Sequence, residues 1–220
     1  MFASVKVVAG DDIVKYSLPM SSAWSASQRY GLAPAPGGLA LVQDFLNTAG
    51  IEGYGPDLLA DTARAGAWAA EAVRAWSRSR GLELQPPALG EADLVRLRSL
   101  RTTIGKLVAH EAPPRHETSA AAASLALSDS GEVRLEPNGG GWRWLASALW
   151  GEILLSQHAG TWRRVKRCHN HRCGSTFYDR SKNNSGVWHD VKTCGNAANL
   201  RASRARRRER ERAAESAEAE

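Results

Sequence analysis

From Gly38 to His158 the chain alternates between apolar stripes and short breaks rich in glycine, proline and polar residues, the pattern of a packed, mostly helical domain. Residues 39–48, LALVQDFLNT, form an apolar run interrupted only by Gln43 and Asp44. The run fits a buried strand or a short helix, and periodicity does not decide between them. After the turn-rich GIEGYGPD, the positions Leu58, Leu59, Ala63, Trp68, Ala72, Val73 and Trp76 predict a helix from Pro56 or Asp57 to Gly81. The clearest stripe covers residues 91–110, where Leu94, Leu97, Leu100, Ile104, Leu107 and Val108 recur at three- and four-residue steps before Pro113 and Pro114. Alanine-rich residues 117–128 predict another helix. EVRLEP and WRWLA, on either side of NGGG, predict a β-hairpin. Leu145 to His158 predicts a last helix with Leu149, Ile153 and Leu154 inward.

Before Gly38 the pattern is weaker. Residues 4–10 and 12–18 each fit a short strand, and residues 21–38 read as a loop or linker rich in Ser, Ala, Gly and Pro. No internal repeat is visible. The expected fold class is α+β: a mostly helical N-terminal domain with a small hairpin, then a smaller C-terminal unit.

Composition adds bounds. The 220 residues are 43% hydrophobic and 24% charged, ordinary for a globular chain and long enough to bury a core. No run of 18 apolar residues occurs, which excludes a membrane-spanning helix, and the start of the chain lacks the pattern of a secretory signal. Three cysteines cannot close into a disulfide framework within one chain. A reducing, cytoplasmic setting follows, where clustered cysteines favour metal.

The net charge of +6 is unevenly spread: residues 1–160 carry −2, residues 161–212 carry +11 and the last eight carry −3. The basic third also holds all three cysteines, an asymmetry that points to a polyanion partner. There Cys168 and Cys173 are separated by four residues, as are His189 and Cys194. Two short pairs joined by a hairpin can place four nitrogen or sulfur ligands around one zinc ion. The expected hairpin runs through STFYDRS, an Asn183–Gly186 turn and VWHDV. A closed Cys₃His set leaves no open position, so the one Zn²⁺ would be structural. Spacing alone leaves His169 and His171 as competitors for the fourth place, and three isolated buried cysteines are the plain alternative.

CGN at Cys194–Asn196, the Cys168/Cys173 pair followed by FYDRS, and Trp188 resemble the CGNR-type zinc finger of bacterial proteins over residues 161–210. FLNT at Phe45–Thr48, DLLAD at Asp57–Asp61 and Trp68 resemble, over residues 38–160, the ABATE domain that accompanies it, a domain described as a stress-induced transcription regulator. The resemblance implies domains at 38–160 and 161–212, a 1–37 segment outside it and an acidic tail at 213–220. It implies Cys168, Cys173, His189 and Cys194 as the ligands, His189 standing where the family has Cys. Ala197 stands where the family has Arg, which removes whatever contact that Arg makes.

After Gly195 the sequence has high helix propensity, and Asn196 suits an N-cap. At about 100° per residue, Arg201, Arg204, Arg208 and Arg212 fall within about 80° of one another and form a basic stripe. Arg167 and Arg172 extend the patch. Arginine forks suit phosphate and guanine, so duplex DNA is the expected partner, in a cytoplasmic, nucleoid-associated regulator rather than an enzyme. A solvated face with pairs such as Arg207–Glu211 is the plain alternative. A homodimer and an effector of the N-terminal domain are compatible partners, though no heptad seam is visible. Two other readings stand beside this one. A zinc-stabilised module could bind an acidic protein, and CHNHRC superficially suggests an HNH-like nuclease. Against the nuclease, His169 and His171 sit between two zinc ligands, and no paired carboxylates lie nearby.

Overall fold

The computed structural model describes residues 23–111 and 121–218, with side chains through Arg212. The strands expected at 4–10 and 12–18 lie outside these residues.

The chain begins with a single turn, α1 (Ser25–Gln28), and α2 (Leu39–Leu46), which resolves the ambiguous apolar run as a helix. Every residue of α2 is buried, including Gln43 and Asp44. Those two polar side chains pin the preceding segment. Asp44 Oδ1 accepts from the Ser27 amide at 2.7 Å, and its Oδ2 accepts from Trp68 Nε1 at 2.8 Å. Gln43 Oε1 accepts from the Ala35 amide, and its Nε2 donates to the Ala33 carbonyl. Residues 23–37 therefore pack against α2, as buried polar groups must find partners.

Helix α3 (Thr62–Ser79) starts later than its stripe suggests, because Asp61 accepts from the Arg64 amide as a true N-cap. Leu58 and Leu59 precede it. Helix α4 (Glu91–Val108) follows its predicted stripe, burying Leu94, Leu97, Leu100, Ile104 and Val108. Asp93 ties two helix starts together: its carboxylate accepts from the Gly90 amide and from the Trp142 amide at the head of α5 (Trp142–His158).

Two expectations between α4 and α5 fail. The described part of 117–128 is not helical: Ala123–Leu127 is strand β1, and its partner β2 is Val133–Pro137. They pair antiparallel with Leu125 opposite Leu135, so the hairpin is formed by β1 and β2, while WRWLA opens α5. Alanine's helix propensity is a weak prior that cross-strand pairing overrides. On α5, Leu149 and Ile153 are buried, but Leu154 is 58% exposed. It lies about 100° round the helix from Ile153 and leaves the core face.

The core is built from α2, α3, α4 and α5 around Trp76, Phe45, Leu41, Leu97, Ile104 and Leu149. Glu152 is held inside it by Trp76 Nε1 at 2.8 Å and by an ion pair with Arg80.

A 3₁₀ turn (Trp162–Arg164) leads to a second two-stranded antiparallel sheet, β3 (Val165–Arg167) with β4 (Thr176–Tyr178). Val165 belongs to the main core. Asn47, at the end of α2, treats β4 as a neighbouring strand would: its Nδ2 donates to the Thr176 carbonyl and its Oδ1 accepts from the Thr176 amide, both at 2.8 Å. Cutting this clamp leaves two buried backbone groups unpaired, each worth about 1–3 kcal/mol. Asn47→Ala should therefore destabilise the protein by about 2–4 kcal/mol and raise amide exchange at Thr176. Chemical denaturation with hydrogen-exchange mass spectrometry measures both.

Candidate metal centre

The cysteine loop is shaped by backbone hydrogen bonds. The Cys168 amide donates to the Ser175 carbonyl at 2.8 Å, extending the β3–β4 ladder by one rung. The Cys173 and Gly174 amides both donate to the Asn170 carbonyl, and Gly174 takes a positive φ of 61° to complete the turn. The two strands flank the Cys168–Cys173 loop, so the finger's hairpin is not the one expected across 175–191. Of STFYDRS only Thr176–Tyr178 is strand, as β4, whereas VWHDV forms no strand. The His169 amide donates to the Val187 carbonyl, and Lys166 Nζ donates to the Asn184 and Gly186 carbonyls and to Asp179. These contacts fold residues 184–188 back over β3. Asp179 is buried, which alone would raise its pKa. Lys166 and the Ser181 and Gly186 amides outweigh this and hold its carboxyl well below the carboxylate range.

His189 and Cys194 follow. A π-type turn, Val191–Gly195, leads into α6 (Asn196–Glu218). Asn196 is already helical and does not cap. The cap is Asp190, whose side chain accepts from the Lys192 amide at 2.8 Å and from the Thr193 hydroxyl at 3.0 Å. The Asp190 carbonyl receives the Cys194 and Gly195 amides. Gly195 sits in a tight place: a Cβ there would lie 3.2 Å from Cε3 of Trp188 and 3.3 Å from Cγ1 of Val191, so a larger residue would press on both side chains.

These turns bring one ligand atom each from Cys168, Cys173, His189 and Cys194 within 4.8 Å of one another. A tetrahedral zinc with Zn–S bonds of about 2.3 Å has edges of about 3.8 Å, so small shifts close the cage. The cysteines are 2–3% exposed, and His189 turns Nδ1 toward Cys173 Sγ at 3.4 Å. His169 and His171 are exposed and lie outside the group, which removes the competition that spacing left open. The Cys168 side chain hydrogen-bonds to Cys173, which holds Cys173 down to about 3 and pushes Cys168 up. A bound zinc ion would hold all three sulfurs as thiolates.

A second layer surrounds the cage. Asn170 Nδ2 donates to Cys194 Sγ at 3.2 Å, and its Oδ1 accepts from Arg201 at 2.6 Å. Arg201 of α6 thus turns back toward the finger. Tyr30 and Leu32 from the N-terminal segment, with Ile51, pack against the cysteines, Phe177 and Trp188. Neither Asn170 nor Tyr30 was expected from the sequence; a polar residue between paired ligands was the available signal for the first.

The remaining predicted positions separate. Arg204 and Arg208 are exposed on α6, as is Arg212 at the end of the described side chains. Arg172 is exposed at the cysteine loop. Arg167, also exposed, donates to the Gly174 carbonyl at 3.3 Å. Arg207 and Glu211 form the expected surface pair at 3.3 Å.

A mostly helical domain joined to a closed Cys₃His cage defines a zinc-finger protein with a helical N-terminal partner domain. Family models agree and are specific. Residues 39–161 match the ABATE family, whose description is "Putative stress-induced transcription regulator", and residues 164–207 match the CGNR zinc finger. The chain belongs to the ABATE family and carries a CGNR zinc finger that binds one zinc ion. No curated protein matches the chain. Among the described residues no helix is long and apolar enough to cross a membrane.

Elemental analysis should find one zinc per chain. His189→Ala should lose it to a chelator that the parent resists, whereas His169→Ala and His171→Ala should keep it. Because Tyr30 and Leu32 pack on the cage, zinc loss should also raise amide exchange around residues 30–32.

Proposed function

We propose that the protein is a DNA-binding transcription regulator in which the zinc cage fixes the root of α6 and α6 presents its arginines to the duplex. The observation that carries this reading is the placement of α6. Its first turn grows out of the turn holding the fourth zinc ligand, and every described side chain from Ala202 to Arg212 is exposed. A helix this polar, with no core face, gains little from packing on its own protein. Arg204, Arg208 and Arg212 lie on one side, and Arg172 adds charge at the cysteine loop. Arg201 contributes at the root, where Asn170 already holds one of its N–H groups. The domains at 38–160 and 161–212 would then divide sensing from docking, with residues 23–37 bridging them and residues 213–220 forming an acidic end. A cytoplasmic, nucleoid-associated protein is the corresponding setting.

An acidic protein partner is the second reading, since the same arginine face would serve it. The HNH-like reading has less support: His169 and His171 are exposed and lie outside the ligand group, and the two families are described as regulator and zinc finger.

Titration of labelled duplex against the full-length protein tests the proposal. With about four phosphates neutralised, log K should fall against log salt with a slope near −3.6. Arg204→Ala and Arg208→Ala should each reduce that slope by about 1, while Arg206→Ala and Arg210→Ala, on the opposite side, should change it less. Equal effects from all four would reduce the stripe to bulk charge, and a slope near zero would move the protein to the second reading.

A further inference from the structure

Between the C-terminal half of α4 and the finger lies an open cleft of about 420 Å³, lined by Leu46, Ala49, Val108, Lys106, Arg101 and Arg167 among others. A second hollow of about 430 Å³ abuts it, sharing Val108 and Arg167 and reaching Cys168 and His169. The first is large enough for a compact organic molecule. Its position is distinctive: one wall belongs to the helical domain, the other to β3, β4 and the cysteine loop.

The charges of the cleft select a ligand. Arg101 is matched by Asp57, which its guanidinium grips through two hydrogen bonds. Among the described residues, Lys106 and Arg167 have no acidic partner. Glu111 is the one acid in the lining of this cleft, so the wall carries one net positive charge. Leu46, Ala49 and Val108 supply an apolar floor. A glycine widens the space. Gly105 sits inside α4, where glycine costs helix stability, and a Cβ built there would meet nothing within 4 Å.

We infer that this cleft is a binding site for a small organic monoanion with an apolar body, such as an aromatic carboxylate or sulfonate, its acid held between Lys106 and Arg167. One net charge suits a monoanion better than a polyphosphate, and the apolar floor suits a compact body better than a phosphodiester chain. The site goes beyond the DNA-binding reading. It rests on that reading only in making the ligand an effector, because a molecule gripping both walls would set the finger against the helical domain.

The test uses zinc-loaded full-length protein and 8-anilinonaphthalene-1-sulfonate, a fluorescent monoanion with an apolar body. The parent should bind one probe per chain, and an equal concentration of inorganic phosphate should not displace it. Lys106→Gln and Arg167→Gln should each weaken binding about tenfold, the loss of one charged hydrogen bond. Gly105→Leu should abolish binding while leaving zinc content intact and the melting temperature no lower, since leucine is the better helix former. Probe binding by Gly105→Leu equal to the parent's would overturn the site, as would displacement by phosphate. Glutamine variants that bind the probe normally but weaken DNA binding would also overturn it, assigning both cations to the duplex. If instead the α6 arginines proved irrelevant to DNA, the regulator reading would fall while the probe result stood.

Discussion

The two hydrogen bonds between the Asn47 side chain and the Thr176 backbone make one body of two sequence-distant units. A side-chain amide has the donor and acceptor spacing of a peptide group, so Asn47 closes the free edge of β4 as another strand would. Without it, the buried N–H and C=O of Thr176 would lose these partners. The same residue donates to Ser27 Oγ, and its carbonyl accepts from Arg29, drawing the N-terminal segment to the same point. Thr48, the next residue, receives Arg101 of α4. The FLNT segment is thus a junction of α1, α2, α4 and the finger, which gives a physical reason for these four residues to stand together.

From that junction the zinc cage acquires its surroundings. A small finger alone has too little apolar surface for a core and depends on its metal. Here Tyr30 and Leu32 seal one side of the cysteines, and Tyr30 packs at a tilt against Tyr54 with ring centres 4.9 Å apart. The other side is closed by Asn170, which spends one end of its amide on Cys194 and the other on Arg201. An outer partner of this kind orients a ligand and offsets the negative charge of a thiolate-rich site. It also explains why the arginine nearest the cage behaves differently from those farther along the helix.

How much of this was legible in the sequence depended on whether a feature was local. The α4 stripe and the paired cysteines follow from spacing along one element, and both are found where spacing placed them. The four-ligand set needed the family resemblance to choose among three histidines, because spacing cannot say which imidazole turns inward. Ala123–Leu127 was misread because its alanines favour helix, while its strand state is decided by a partner six residues beyond its end. Asn196 lost the capping role to Asp190 because a π-type turn begins the helix earlier than glycine suggested. Residues 23–37 gave no periodic signal at all. Their order comes from Gln43 and Asp44, the two polar interruptions in an apolar run, and such interruptions are the places to look for buried anchors.

The isolation of α6 has a mechanical consequence. The helix holds 23 residues, which at about 1.5 Å per residue gives a rod about 34 Å long fixed at one end. A rotation of about 10° at its root would sweep the far end by about 6 Å, half the width of a DNA major groove. Small adjustments around Cys194, Asn170 and Arg201 would therefore be magnified along the rod, whose root lies beside the zinc ligands.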